Sequence, residues 1–171
     1  MQDTVVRNLS GMASEMDRRA LFPIVTAGSN LDSSMCLTSA GLVISGTTTL
    51  VKTGASATYA CANGVLVNVP AATNMPALVG SVANGQFGVF TFSVDQNGAF
   101  YTAAGTPGAT LAAVKFPTPV IGLAMLGFII INPTGTGPFI GGTTPLGDAT
   151  VIPNAVYISV VGSFDPTIIV Q

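Results

Sequence analysis

The stretch Phe90-Thr91-Phe92-Ser93-Val94-Asp95-Gln96-Asn97-Gly98-Ala99-Phe100-Tyr101-Thr102 decides the fold. Side chains alternate across a strand, so Phe90, Phe92 and Val94 share one face while Thr91 and Ser93 share the other. Asp95 to Gly98 supplies turn chemistry, because Asp and Asn bond their own backbone and Gly accepts positive φ. Ala99 to Thr102 then returns. The reading is a β-hairpin with one apolar face.

The same pattern repeats on either side of this hairpin. Leu123 to Ile131 is continuously apolar, which predicts a strand covered on both faces. Upstream, Thr58 to Ala62 runs through Asn63-Gly64 into Val65 to Val69, a second hairpin with a two-residue turn. Leu42 to Ile44, Thr47 to Val51, Leu111 to Phe116 and Val156 to Val161 are further predicted strands, with Thr167 to Val170 a short terminal one. Residues 71–86, 132–138 and 141–145 read as loops from their Gly, Pro and Asn. Many short strands between such turns predict an all-β chain, a single β-sandwich or barrel-like domain.

Composition narrows the function. The chain has 171 residues, 49% of them apolar, but only 7% charged and none histidine. Soluble domains carry about 25% charged residues. Five cations and a net charge of −2 leave little for neutralising phosphates, so no nucleic-acid partner is expected. The longest apolar run, Val120 to Ile131, is too short for a spanning helix of about 20 residues. Aromatic girdles for a membrane barrel are missing, and Met1-Gln2-Asp3 does not open a signal peptide. No membrane partner is expected.

The charges are segregated. Asp3, Arg7, Glu15, Asp17, Arg18, Arg19 and Asp32 fall within the first 35 residues, while residues 53–94 and 116–147 carry none. This shift divides the chain into an N-terminal arm, 1–35, and a β-rich body, 36–171. Within the arm, Ser14-Glu15-Met16-Asp17 fits a helix start, and Pro23 ends the helix. Leu9, Met12, Met16 and Ala20 form one apolar stripe, with Arg18 and Arg19 late in the helix where cations suit its dipole. So short a helix must dock on something. Its own body and a neighbouring subunit are both open, and adaptable methionines favour the neighbour. The candidate docking residues are Leu9, Met12, Met16, Arg18, Arg19 and Phe22.

Catalytic patterns are sparse. Asp95, Asp148 and Asp165 are the acids of the body, none with a second carboxylate within 15 residues, and Asp95 and Asp165 sit in turn signals. Glycoside hydrolysis needs an opposed pair. No Gly-x-Ser-x-Gly elbow occurs, and the glycines of 135–142 lack the lysine and hydroxyl of a phosphate-binding loop. Cys36 and Cys61, without histidine, make no zinc site; buried free thiols are the expectation, with a disulfide left open. Phe90 and Phe92 have strand spacing but no interleaved cations, so they read as core rather than as a base-stacking platform. A non-enzymatic chain without cofactor or metal is expected.

Four motifs in order add a resemblance. Residues 85–98 end a Gln-containing strand in Ser93-Val94-Asp95 before a short Gly turn. Val114 to Pro119 precedes Leu126-Gly127-Phe128-Ile129-Ile130. Gly142-Thr143-Thr144-Pro145-Leu146 follows, and Tyr59-Ala60-Cys61-Ala62-Asn63-Gly64-Val65-Leu66 lies upstream. This arrangement, over about residues 57–161, resembles a pattern common in tailed-bacteriophage virion structural proteins; Cys61 stands where that pattern has an apolar residue, and the arm is not covered. The resemblance implies a capsid decoration (cement) protein or a head or tail appendage, assembled in the host cytoplasm and located in the virion. It implies the major capsid protein or another virion protein as partner, and no catalytic residues. The apolar, uncharged body independently suggests a homo-oligomer, with a trimer favoured. The alternative is a head-fibre or tail component that binds host-surface glycan.

Overall fold

A computed structural model describes residues 34–46 and 48–164. The described chain is almost wholly β. In order, the strands are β1 (Met35–Cys36), β2 (Val43–Ile44), β3 (Val51–Lys52), β4 (Thr58–Ala62), β5 (Val65–Val69) and β6 (Ser81–Val82). Then come β7 (Gly88–Val94), β8 (Phe100–Ala104), β9 (Ala124–Ile131), β10 (Phe139–Ile140) and β11 (Val156–Ser159).

The decisive hairpin forms as its alternation requires. Strand β7 pairs with β8 from Phe90↔Ala104 to Val94↔Phe100, and on its other edge with β9. Strand β11 completes an antiparallel sheet of order β11-β9-β7-β8. The Asn63-Gly64 hairpin joins β4 to β5, with φ of 50° and 78° at the two turn residues, as a type I′ turn demands. Strand β1 adds to β4, giving a second sheet of order β1-β4-β5. Among the described residues, pairing thus begins at Met35, the residue expected to end the arm.

These two sheets face each other across the main core, and neither closes into a barrel. Phe90, Phe92, Val94, Leu126, Ile129 and Ile131 from one meet Cys36, Ala60, Ala62, Val67 and Val69 from the other. A bulge in β9 opposite Phe92/Ser93 turns both Leu126 and Gly127 toward this core. Beyond the bulge the alternation resumes, so Phe128 falls on the outer face with Val89 in a second, smaller cluster. The expectation of a β9 covered on two faces is met fully on the core side and in part on the outer side, where Phe128 is buried and Ile130 half-buried.

Three expected elements differ. Leu111 to Phe116 is not a strand: Leu111–Ala113 is a 3₁₀ turn, and only Lys115 bridges to Thr106. Ala112 and Ala113 carry too little side chain to hold a pleated row, and Val114 N–H closes the turn on the Leu111 carbonyl. Residues 71–86 are not all loop. Ser81–Val82 pairs with Phe139–Ile140, 57 residues away, because Val82 and Phe139 are both core residues. Of the strand expected over Thr47 to Val51, the described residues 48–51 place only Val51 in a strand, which continues to Lys52. Gly46, at φ 65°, starts a turn that the Thr48 hydroxyl tightens by donating to the Ser45 carbonyl.

Candidate functional site

The acids of the described residues are Asp95 and Asp148. Asp95 Oδ1 accepts from the backbone N–H of Asn97 (2.8 Å) and Ala99 (2.9 Å), and Oδ2 accepts from the Tyr101 hydroxyl (3.2 Å). The Ala99 N–H is the largest influence holding this carboxyl below the ordinary range, with Asn97 and Tyr101 acting in the same direction. Asp148 Oδ1 accepts from the Thr150 hydroxyl (2.6 Å) and N–H (2.9 Å), and the hydroxyl is the main cause of its lowered pKa. Each carboxylate is thus engaged in ordering its own turn. Asp165 lies outside the described residues. Among the described residues, no group of three or more Cys, Asp or Glu gathers where it could hold a metal ion.

The cysteines are separated by register. Cys36 is opposite Ala60 and Cys61 opposite Met35, so the two thiols project from opposite faces of one sheet, and both are free. Cys36 is buried and donates to the Thr38 carbonyl at 2.9 Å; burial pushes its pKa up, opposed by that hydrogen bond. Cys61 is only half-buried, which corrects the expectation that both thiols are core. The tyrosines do not cluster. Tyr59 is exposed on β4, Tyr101 is exposed on β8, and Tyr157 packs against the main core from β11. Phe90 and Phe92 are core residues, as their spacing without cations implied.

The surface that stands out is the outer face of the β11-β9-β7-β8 sheet. Gly105 to Leu123 crosses it, anchored by Gly105 N–H to the Val89 carbonyl and by Phe116 edge-on to Phe128 at 5.0 Å. The crossing leaves a hollow on each side. One is a trough of about 480 Å³, floored by Val89, Phe128, Ile130 and Ile158 and walled by the 111–116 segment. The other is a groove of about 340 Å³, with Thr91, Ser93, Tyr101 and Met125 below and Pro117 to Val120 overhanging. No family model, curated protein or solved structure matches this chain.

The body exposes large apolar side chains, Ile121 (66%) and Val120 (62%) on the crossing segment and Val79 (75%) and Leu66 (64%) away from it. Charge is scarce around them: residues 34–164 hold only Lys52, Asp95, Lys115 and Asp148. The predicted docking residues Leu9, Met12, Met16, Arg18, Arg19 and Phe22 lie outside the described residues, as does the terminal strand predicted over Thr167 to Val170. Sequence reading did not find the trough or the groove. The only local signal was that β9 is apolar at Phe128 and Ile130 as well as on its core face, with no strand in sequence to cover the second face. Among the described residues no helix is long and apolar enough to cross a membrane.

Proposed function

We propose that this chain is a structural protein of a bacteriophage particle, a capsid decoration (cement) protein that binds the outer capsid surface and reinforces joins between capsid subunits. One observation carries the reading: a β body with two charges of each sign over residues 34–164 displays large apolar side chains at its surface, while the first 35 residues hold seven of the twelve charges. Apolar, uncharged surface of this kind suits burial against other subunits. The order of four motifs over residues 57–161 resembles virion structural proteins and supports the same reading. In this reading the body packs with copies of itself, and the arm, through Leu9, Met12, Met16, Arg18, Arg19 and Phe22, fastens to the major capsid protein or another virion protein.

The test is a deletion of residues 1–30, mixed with undecorated heads and pelleted. The expected outcome is loss of particle binding with the β circular-dichroism signal retained. Full decoration by the truncated protein refutes the docking arm. A second reading, a head-fibre or tail component that binds host glycan, is favoured by the groove, where exposed Tyr101 stands beside Ser93 and Thr91. Retention of the intact chain on glycan-coated beads, with no affinity for heads, would select that reading.

A further inference from the structure

Strand β8 ends its sheet, and only one of its two edges is paired there. Asp95 N–H donates to the Ala99 carbonyl, and Gly105 N–H to the Val89 carbonyl. Hydrogen-bonded pairs alternate along an antiparallel ladder, so between those two points Tyr101 and Ala103 are the residues bonded to β7. The N–H and C=O groups of Phe100, Thr102 and Ala104 therefore point away from the sheet. None of them has a hydrogen-bond partner among the described residues. At Thr106 the same edge is closed, by bonds in both directions with Lys115. What remains is a window from Phe100 to Ala104 with no Lys, no Pro and no bulge, the devices that keep an edge from pairing.

The window is complementary to itself. Set antiparallel about a two-fold axis, Thr102 meets Thr102 of the partner subunit, and Phe100 meets the partner's Ala104. Each of these pairs is of the hydrogen-bonded kind, exchanging both N–H···O=C bonds. The side chains match as well. Half-buried Phe100 lies opposite small, exposed Ala104, and exposed Tyr101 lies opposite small, exposed Ala103. Threonine opposite threonine is a favourable cross-strand pair. Charge is complementary too. In this register the residue opposite Thr106 is the partner's Gly98, so Lys115, bridged to Thr106, comes beside the turn closed by the partner's Asp95. The two-fold axis repeats that contact.

We propose that two copies of this chain join edge to edge through β8, antiparallel about Thr102, making one continuous sheet across the two-fold axis. The contact consumes the same edge in both copies, so it closes rather than propagating. It is small, and therefore forms at higher concentration than the trimer expected from composition, joining assemblies in pairs. It depends neither on capsid binding nor on the arm.

Amide hydrogen exchange in the intact chain reads this edge residue by residue. The amides of Phe100, Thr102 and Ala104 should exchange several-fold more slowly in concentrated than in dilute solution, while those of Tyr101 and Ala103 stay slow in both. Sedimentation should show the mass double over the same range. Thr102→Pro removes the N–H at the axis from a position that gives nothing to the β7 ladder, and should abolish both effects. Leu66→Ser, on the other sheet, should change neither. Slow exchange at every concentration would mean that the edge is covered within one copy, and overturns the proposal. Fast exchange throughout overturns it as well, as does slow exchange that appears only when heads are added. Should Thr102→Pro fail to fold, the exchange pattern of the intact chain still decides.

Discussion

Asp95 shows how much one residue does in a chain with so few charges. It closes the β7–β8 turn through two backbone N–H groups and anchors Tyr101 on the returning strand. Those bonds are made to the ionised form, which is why its pKa is lowered, Ala99 N–H contributing most. The folded value lies below the unfolded one of about 3.9. The turn's contribution is therefore complete above that unfolded value and is lost as pH falls through the folded value. Asp148, lowered chiefly by the Thr150 hydroxyl, acts in the same window. Thermal melting should be flat from neutral pH down to about pH 5 and fall below about pH 4. Asp95→Asn keeps the Oδ1 acceptor and should weaken this acid dependence, whereas Asp95→Ala should lower the melting temperature at every pH. An Asp95→Asn chain with an unchanged acid profile would show that the turn is not the titrating element.

At the scale of the element, β9 is the strand on which both clusters depend. Its bulge places Leu126 and Gly127 together on the core side, and only glycine fits the second position. A Cβ there would strike the Ile158 carbonyl oxygen and come within 2.6 Å of Leu42 Cδ1. Strand β11 lies against β9 at this point, with Ser159 opposite Gly127. The Ser159 hydroxyl in turn accepts from Leu42 N–H at 3.0 Å. Gly127→Ala must push β11 or Leu42 away, at about 1–3 kcal/mol. Denaturant melts should show this as a lower midpoint, with amide exchange fastest along β11. An alanine variant with an unchanged midpoint would mean that the sheet edge yields at no cost.

For the whole molecule, the balance of forces follows from the charge count. A body with two cations and two anions over residues 34–164 has little electrostatic attraction or repulsion with which to set its association. In the proposed assembly, contacts between copies would then rest on apolar and hydroxyl-rich surface. Sedimentation of the intact chain should show an oligomer, a trimer in our reading, whose dissociation hardly changes between low salt and about 1 M salt, where charge interactions are screened beyond about 3 Å. The same oligomer should loosen on cooling, as hydrophobic association does. An assembly that falls apart in salt would place the charged arm, not the body, at its centre.

What short-range physics controls is legible in the chain's own order of residues. The alternation of Phe90, Phe92 and Val94, the Asn63-Gly64 turn and the structural role of Asp95 are written within a few residues of where they act. From these the all-β class follows. The tertiary structure decided what depends on distant pairings. Ser81–Val82 finds Phe139–Ile140 because two core residues need the same space, a fact absent from either segment alone. Leu111 to Phe116 has apolar residues at strand spacing only in Val114 and Phe116; Leu111–Ala113 turns locally, and the ties of Gly105 to Val89 and of Thr106 to Lys115 decide where on the sheet the turn lies. Cys36 and Cys61 are both among small and apolar neighbours in sequence, but a register of one residue sends them to opposite faces. The trough is the furthest from the sequence. It exists only because β9, β11 and the 111–116 segment meet there, and its apolar lining is assembled from positions that alternation could only mark as the second face of a strand.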